Sequence, residues 1–144
     1  MNFPYTIRIL GTLLIFFSGA QILPALVAYI YSEIDLIYKF FISFILTLSA
    51  GLLLYILSSN SKQDLRTKDG FIITVLFWTV LAIFGSFTLY LADFGRITYI
   101  DSLFESISGL TTTGATVLGH YSTLNIEDMP HGLLFWRSFT QFIG

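Results

Sequence analysis

Three long stretches without a charged residue constrain the fold of this chain more than any other feature. They cover residues 9–31, 40–61 and 70–92. At about 1.5 Å of rise per residue, each stretch is long enough to cross the roughly 30 Å hydrocarbon core of a bilayer as a helix. Composition agrees, because 55% of the 144 residues are hydrophobic and only 11% are charged. The sequence therefore predicts an all-α integral membrane protein embedded in lipid.

The remaining composition excludes several classes of function. A net charge of -2 gives no reason to expect a nucleic-acid partner. The chain has no cysteine, which excludes disulfides and thiolate metal sites. No nucleophile and base, and no pair of carboxylates, are placed together at membrane depth, so we predict that the chain is not an enzyme and binds no covalent cofactor.

The distribution of basic residues predicts the topology. Residues 62–70 hold three of the seven Lys and Arg residues, so the positive-inside rule places this loop in the cytoplasm, together with Arg8 and the N-terminus. Residues 1–61 would then form a two-helix hairpin, in which Pro24 bends the first helix. A cleavable signal peptide is the rival interpretation of the first stretch, but the apolar run continues well past its small-residue site at residues 18–20.

A run of small hydroxyl residues and glycines, residues 106–116, follows a segment long enough for a helix of only about 18 Å. Such a helix, residues 99–110, would end near the bilayer centre, where irregular backbone is tolerated only if it faces protein or a water-filled cavity. The carbonyls of Thr111, Thr112 and Thr113 could coordinate a cation at the negative end of this helix, and Gly114 permits the necessary backbone angles. Ala115 completes this candidate filter. An ordinary turn or helix cap would use the same residue types.

Asp101, Glu105 and Arg137 are candidate electrostatic or structural groups near this run. Asp101 lies near the start of the short helix, where a carboxylate complements the positive end of the dipole. Asp128 is expected to cap a fourth helix over residues 130–144. Arg137 lies within that helix and should face a carboxylate or carbonyls rather than lipid, and Glu105 is the nearest opposite charge.

Carboxylates are concentrated on the side predicted to be outside. Two interpretations stay open: the loops simply need polar residues, or an acidic vestibule concentrates cations at a pore mouth. Seven of the nine acidic residues belong to this group: Glu33, Asp35, Asp93, Asp101, Glu105, Glu127 and Asp128.

Several short motifs together resemble the N-terminal part of the TrkH family, the membrane subunits of bacterial Trk potassium uptake in the Trk/Ktr/HKT superfamily. The Thr-Thr-Thr-Gly-Ala-Thr string is specific in this context, and the resemblance covers essentially the whole chain. The motifs are Asp69-Gly70-Phe71, Leu76-Phe77-Trp78-Thr79-Val80, Phe104-Glu105-Ser106, Leu110-Thr111-Thr112-Thr113-Gly114-Ala115-Thr116, Phe135-Trp136-Arg137 and Gln141-Phe142-Ile143-Gly144.

The resemblance implies four helix, pore-loop, helix units around one potassium pathway, preceded by an extra two-helix hairpin. Residues 71–144 would be the first unit, and K+, the transported ion, would meet the backbone carbonyls of Thr112 and Thr113. It also implies a multi-pass protein of the bacterial inner membrane that works as a homodimer with a cytoplasmic nucleotide-binding regulatory subunit.

The chain departs from that pattern in the number of its filter strands. Only one such strand is present, and the fourth helix is too short to cross the membrane, so we expect a portion of a longer transporter that needs the rest of the protein. A small homotetrameric cation channel and a non-conducting membrane scaffold or remnant are the alternatives.

Overall fold

The computed structural model describes residues 3–58, 67–92, 96–119 and 126–144. Three of its stretches are long and apolar enough to cross a membrane: Pro4–Ile30, Ile34–Leu57 and Lys68–Ala92. The predicted class, an α-helical membrane protein, is therefore confirmed. Within the described ranges the helices are α1 (Phe3–Ala20), α2 (Ile22–Ile30), α3 (Ile34–Leu57), α4 (Thr67–Ala92), α5 (Tyr99–Leu110) and α6 (His131–Ile143), with a 3-10 turn at Ile126–Asp128.

The first membrane stretch is interrupted at Gln21, between α1 and α2. Pro24 explains the position of this break, because proline lacks an N–H and its ring clashes with the carbonyl four residues earlier, that of Ala20. The Gln21 side chain is buried, and its amide nitrogen donates a 3.1 Å hydrogen bond to the Thr47 hydroxyl on α3. The polar residue at the break is thus held by the neighbouring helix.

Helices α1 and α3 pack closely as a hairpin. A Cβ added to Gly11 would lie 2.8 Å from the carbonyl oxygen of Gly51, so the two backbones approach each other where both helices carry glycine. Ser43 and Thr47, which lie on the same face of α3 as Gly51, are also buried. This stripe of small residues therefore serves helix packing.

Helix α4 connects the hairpin to α5 through polar contacts inside an apolar interface. The hydroxyls of Ser43 on α3 and Thr88 on α4 are 2.7 Å apart. About one turn away along both helices, the Lys39 ammonium donates to the carbonyl of Ala92, the last residue of α4. Earlier in α4, the carbonyl of Ala82 accepts a 2.8 Å hydrogen bond from the hydroxyl of Ser106 on α5.

Two predicted boundaries are wrong. Helix α4 begins at Thr67, so residues 67–70 of the predicted loop are helical, with Asp69 in the first turn, where an acidic residue favours the helix. Asp128 does not cap the fourth helix, because it belongs to the 3-10 turn and Pro130 is the N-cap residue. Residues 59–66 and Asp93 lie outside the described part of the chain.

Candidate functional site

The start of α5 is fixed by its own sequence. The Thr98 hydroxyl accepts a hydrogen bond from the Asp101 backbone N–H, and the Asp101 carboxylate accepts from the Thr98 backbone N–H in return. This reciprocal capping box satisfies two N–H groups that have no partner within the helix. Asp101, a candidate electrostatic residue, therefore sits at the positive end of the α5 dipole.

The end of α5 is closed by a Schellman motif. The N–H of Thr113 donates to the carbonyl of Ser108 at 2.9 Å, and the N–H of Thr112 donates to that of Gly109 at 2.9 Å. Thr112 has a φ of 55°, in the left-handed region where glycine is usual. For a β-branched residue this conformation costs about 1–3 kcal/mol, and such strain is concentrated at functional sites.

The motif also fixes the direction of the loop carbonyls. In a trans peptide the C=O and the N–H of the following residue point in opposite directions. The N–H groups of Thr112, Thr113 and Gly114 are directed at the last turn of α5, so the carbonyls of Thr111, Thr112 and Thr113 point away from it. Within the part of the chain that the structure describes, no hydrogen bond is made to these three carbonyl oxygens. They form a short series of exposed acceptors beyond the negative end of a helix dipole.

Gly114 and Ala115 differ from these threonines. Gly114 has a φ of 73°, which favours glycine, and the nearest atom to an added Cβ, the side-chain nitrogen of Gln141, would be 3.7 Å away. The Ala115 carbonyl accepts a 2.7 Å hydrogen bond from the hydroxyl of Ser108. The Ala115 carbonyl is thus bonded to α5, whereas the described structure shows no hydrogen bond to the carbonyls of Thr111, Thr112 and Thr113. Ser108 was not singled out by sequence reasoning, and nothing in its local sequence indicates this contact.

Glu105 links three segments around the loop. One carboxylate oxygen, Oε1, accepts from the Thr116 hydroxyl at 2.5 Å and from the Val117 backbone N–H at 2.8 Å. The other, Oε2, accepts from two nitrogens of the Arg137 guanidinium, each at 2.9 Å. The Glu105 side chain is only 2% exposed, so its charge depends on these partners.

The predicted site residues thus have different structural positions. Glu105 and Arg137 form an ion pair in which the Glu105 side chain is buried, whereas the predicted filter residues form an exposed loop. Glu33 is not free in a vestibule either, because its carboxylate accepts from the backbone N–H groups of His131 and Gly132 at the start of α6. The contact between Glu33 and the start of α6 was not predicted from the sequence, because the two N–H groups lie 98 and 99 residues away along the chain.

This arrangement defines a class of membrane protein in which a short helix, followed by an exposed loop, packs against a helix long enough to span the membrane. Known proteins identify the family more closely. The family model described as TrkH, cation transport protein, matches residues 36–144. The chain belongs to the TrkH family, which is a family of membrane transport proteins and not of enzymes.

Curated relatives match along nearly the full length of the chain. It is 40% identical over 144 residues to the Trk system potassium uptake protein TrkH of Salmonella typhimurium, covering 100% of this chain and 29% of that protein. It is 39% identical over 134 residues to the Trk system potassium uptake protein TrkG of Escherichia coli K12, covering 93% of this chain and 26% of the relative. The chain therefore spans less than a third of the length of these relatives.

A solved structure extends the similarity to the fold. The crystal structure of the potassium transporter TrkH from Vibrio parahaemolyticus matches with a TM-score of 0.85 and 40% sequence identity. The match covers 99% of this chain and 29% of that one. The resemblance expected from the sequence motifs is thus confirmed by sequence and by structure.

Proposed function

We propose that this chain is part of a potassium-uptake transporter with a channel-like pore, to which it contributes one of four selectivity-filter strands. Residues 111–115 form that strand, and the carbonyls of Thr112 and Thr113 are the ligands that K+ meets. The ion exchanges part of its hydration shell for carbonyl oxygens as it passes. No bond is made or broken, and K+ is cargo rather than a resident cofactor.

The direction of the loop carbonyls is the observation that supports this proposal most. The loop N–H groups are used to close α5, which leaves a series of oxygens facing away from the helix. A cation beyond that end would interact favourably with both the carbonyl dipoles and the helix dipole. The relatives named as potassium uptake proteins make K+ the cation to test first.

The remaining parts of the pathway are assigned by family resemblance. In this proposal the rest of a full-length transporter supplies the other three filter strands, and residues 1–61 are an accessory hairpin preceding the first unit, residues 71–144. The protein is a homodimer in the bacterial inner membrane, with its N-terminus and the connection between α3 and α4 in the cytoplasm. A nucleotide-binding regulatory subunit docks on the cytoplasmic side.

Two glycines offer a matched test of the filter assignment. Gly114 and Gly119 have φ values of 73° and 84°, so alanine at either position adds a similar backbone strain. Only Gly114 belongs to the proposed filter. The experiment compares Gly114→Ala with Gly119→Ala in a full-length transporter containing this segment, using rubidium uptake in competition with K+ and Na+.

We expect Gly114→Ala to reduce the preference for K+ over Na+ by about tenfold, which corresponds to about 1.4 kcal/mol. Gly119→Ala should keep the parental preference, even if both variants lose similar thermal stability. A folded Gly114→Ala transporter with unchanged preference would contradict the filter assignment. Equal losses of preference in both variants would show that backbone strain, and not position in the ion path, is responsible.

A further inference from the structure

Helix α6 is capped by a residue from the N-terminal hairpin. Pro130, its own N-cap residue, makes no side-chain capping bond in the described structure. Glu33 replaces that bond: Oε1 accepts from the His131 N–H at 2.7 Å, and Oε2 accepts from the Gly132 N–H at 3.0 Å. Its negative charge also complements the positive end of the α6 dipole. The start of α6 therefore depends on a carboxylate supplied from outside its own unit.

Glu33 is held firmly in the turn between α2 and α3. Its N–H donates a 2.8 Å hydrogen bond to the carbonyl of Ala28, and its carbonyl accepts from the N–H groups of Leu36 and Ile37. Ser32, just before it, has a φ of 59°, which gives the chain the sharp reversal between the two helices. Glu33 thus presents its side chain from a backbone fixed by both helices of this turn.

The first turns of α6 pack tightly against the same hairpin. A Cβ added to Gly132 would lie 2.9 Å from the Ala28 side chain, so the α6 backbone approaches α2 very closely. One turn further on, the Trp136 side chain is fully buried. Its ring centroid lies 5.7 Å from that of Phe17 on α1 and 6.5 Å from that of Phe40 on α3. Helix α6 is therefore seated on the hairpin by its cap and by its core residues.

The residue after Trp136 is connected, through Glu105, to the residues that follow the candidate filter. Arg137 binds Glu105, which in turn accepts from Thr116 and Val117 at the end of the loop. A continuous series of direct contacts thus runs from Glu33 through α6 to the segment that follows the exposed carbonyls. Each link is a hydrogen bond, an ion pair or a rigid helix, the elements through which coupling is carried in proteins.

We propose that Glu33 is a positioning residue for ion selection: the N-terminal hairpin, through the Glu33 cap of α6, sets where Arg137 and Glu105 hold the filter strand. This inference rests on the proposed filter function of residues 111–115. It assigns a role in ion selection to the accessory hairpin.

The test separates the connection to the hairpin from capping itself. Glu33→Ala removes both the cap and the connection. The double variant Glu33→Ala with Pro130→Asp restores a cap from the residue that precedes α6 in the chain. Asp at the N-cap position accepts hydrogen bonds from N–H groups of the first turn. Pro130→Asp alone is the matched control. All three variants are made in a full-length transporter, and thermal stability and rubidium uptake against Na+ competition are measured.

We expect Glu33→Ala to lower thermal stability and to reduce the preference for K+ over Na+ by about fivefold, at the lower end of typical coupling between sites. In the double variant the stability should return while the preference stays reduced. Pro130→Asp alone should retain the parental preference.

Either of two results would overturn the proposal. One is an unchanged ion preference in Glu33→Ala, and the other is a double variant that recovers both stability and preference, which would reduce Glu33 to a simple cap. Failure of the filter assignment is distinguishable, because it would show as an unchanged preference in Gly114→Ala. In that case any effect of Glu33→Ala on uptake would have to arise elsewhere.

Discussion

The starts of α5 and α6 meet the same physical need in opposite ways. Each helix begins with N–H groups that have no partner within the helix. In α5 the partner is local, since Thr98 and Asp101 cap each other across three residues. In α6 it is remote, since Glu33 reaches the first turn from 98 residues away. Helix α5 therefore begins independently of the hairpin, whereas the start of α6 depends on it.

The largest effect is expected where the two helices meet. Arg137→Met would leave the buried Glu105 carboxylate without its counter-charge, which should destabilise the protein by about 3–5 kcal/mol and abolish rubidium uptake. Equilibrium unfolding of the full-length transporter in mixed micelles measures the first effect. Without this ion pair, no charged contact joins α5 to α6 at this point. The difference between the caps of the two helices should then no longer affect the loop.

The double variant Glu105→Gln with Arg137→Met is the control for this prediction. It removes both charges, so it should be less destabilised than Arg137→Met alone. The losses of unfolding free energy in Glu105→Gln alone and in Arg137→Met alone are also measured. If these two losses add fully in the double variant, the residues are not coupled, and the contact is not a stabilising ion pair.

A smaller effect is expected at the close contact between α6 and the hairpin. Gly132→Ala introduces a Cβ 2.9 Å from Ala28 and Leu36, which should cost about 1–3 kcal/mol. Gly70→Ala is the matched control, because an added Cβ there meets nothing within 4 Å. In that exposed helical position alanine should stabilise by about 0.5–1 kcal/mol. Equal unfolding free energies for the two variants would mean that α6 is not seated as described.

The smallest effect is expected at the start of α5. Thr98→Ala removes the local capping box and should cost about 1 kcal/mol, without changing the preference for K+ over Na+. Thr79→Ala is the control, since among the described residues the Thr79 hydroxyl bonds to the Val75 carbonyl of its own helix, and its loss should leave stability nearly unchanged. A selectivity change in Thr98→Ala similar to that in Glu33→Ala would remove the distinction between local and remote caps.

The same distinction explains how far the sequence could be interpreted. The predicted short helix, residues 99–110, coincides with α5, because its capping residues are neighbours in the chain. The cap predicted for α6, Asp128, is wrong, because the residues just before α6 form a 3-10 turn and the capping carboxylate belongs to the hairpin. Local patterns predict local caps, and no pattern within α6 indicates Glu33.

The candidate loop was predictable in position but not in geometry. The run of hydroxyl residues and glycines marks residues 111–115, and Gly114 has the positive φ that its residue type suggests. No sequence pattern indicates that Thr112 occupies a position where glycine is usual, or that Ser108 holds the Ala115 carbonyl. Both features depend on how the loop folds back on α5, which composition does not encode.

Anomalous scattering from rubidium in crystals of the full-length transporter tests the central claim most directly. We predict a rubidium peak in direct contact with the carbonyl oxygens of Thr112 and Thr113, and loss of that peak in Gly114→Ala but not in Gly119→Ala. Rubidium bound elsewhere, with the carbonyls of these two threonines unoccupied, would contradict the claim that this strand lines the ion path.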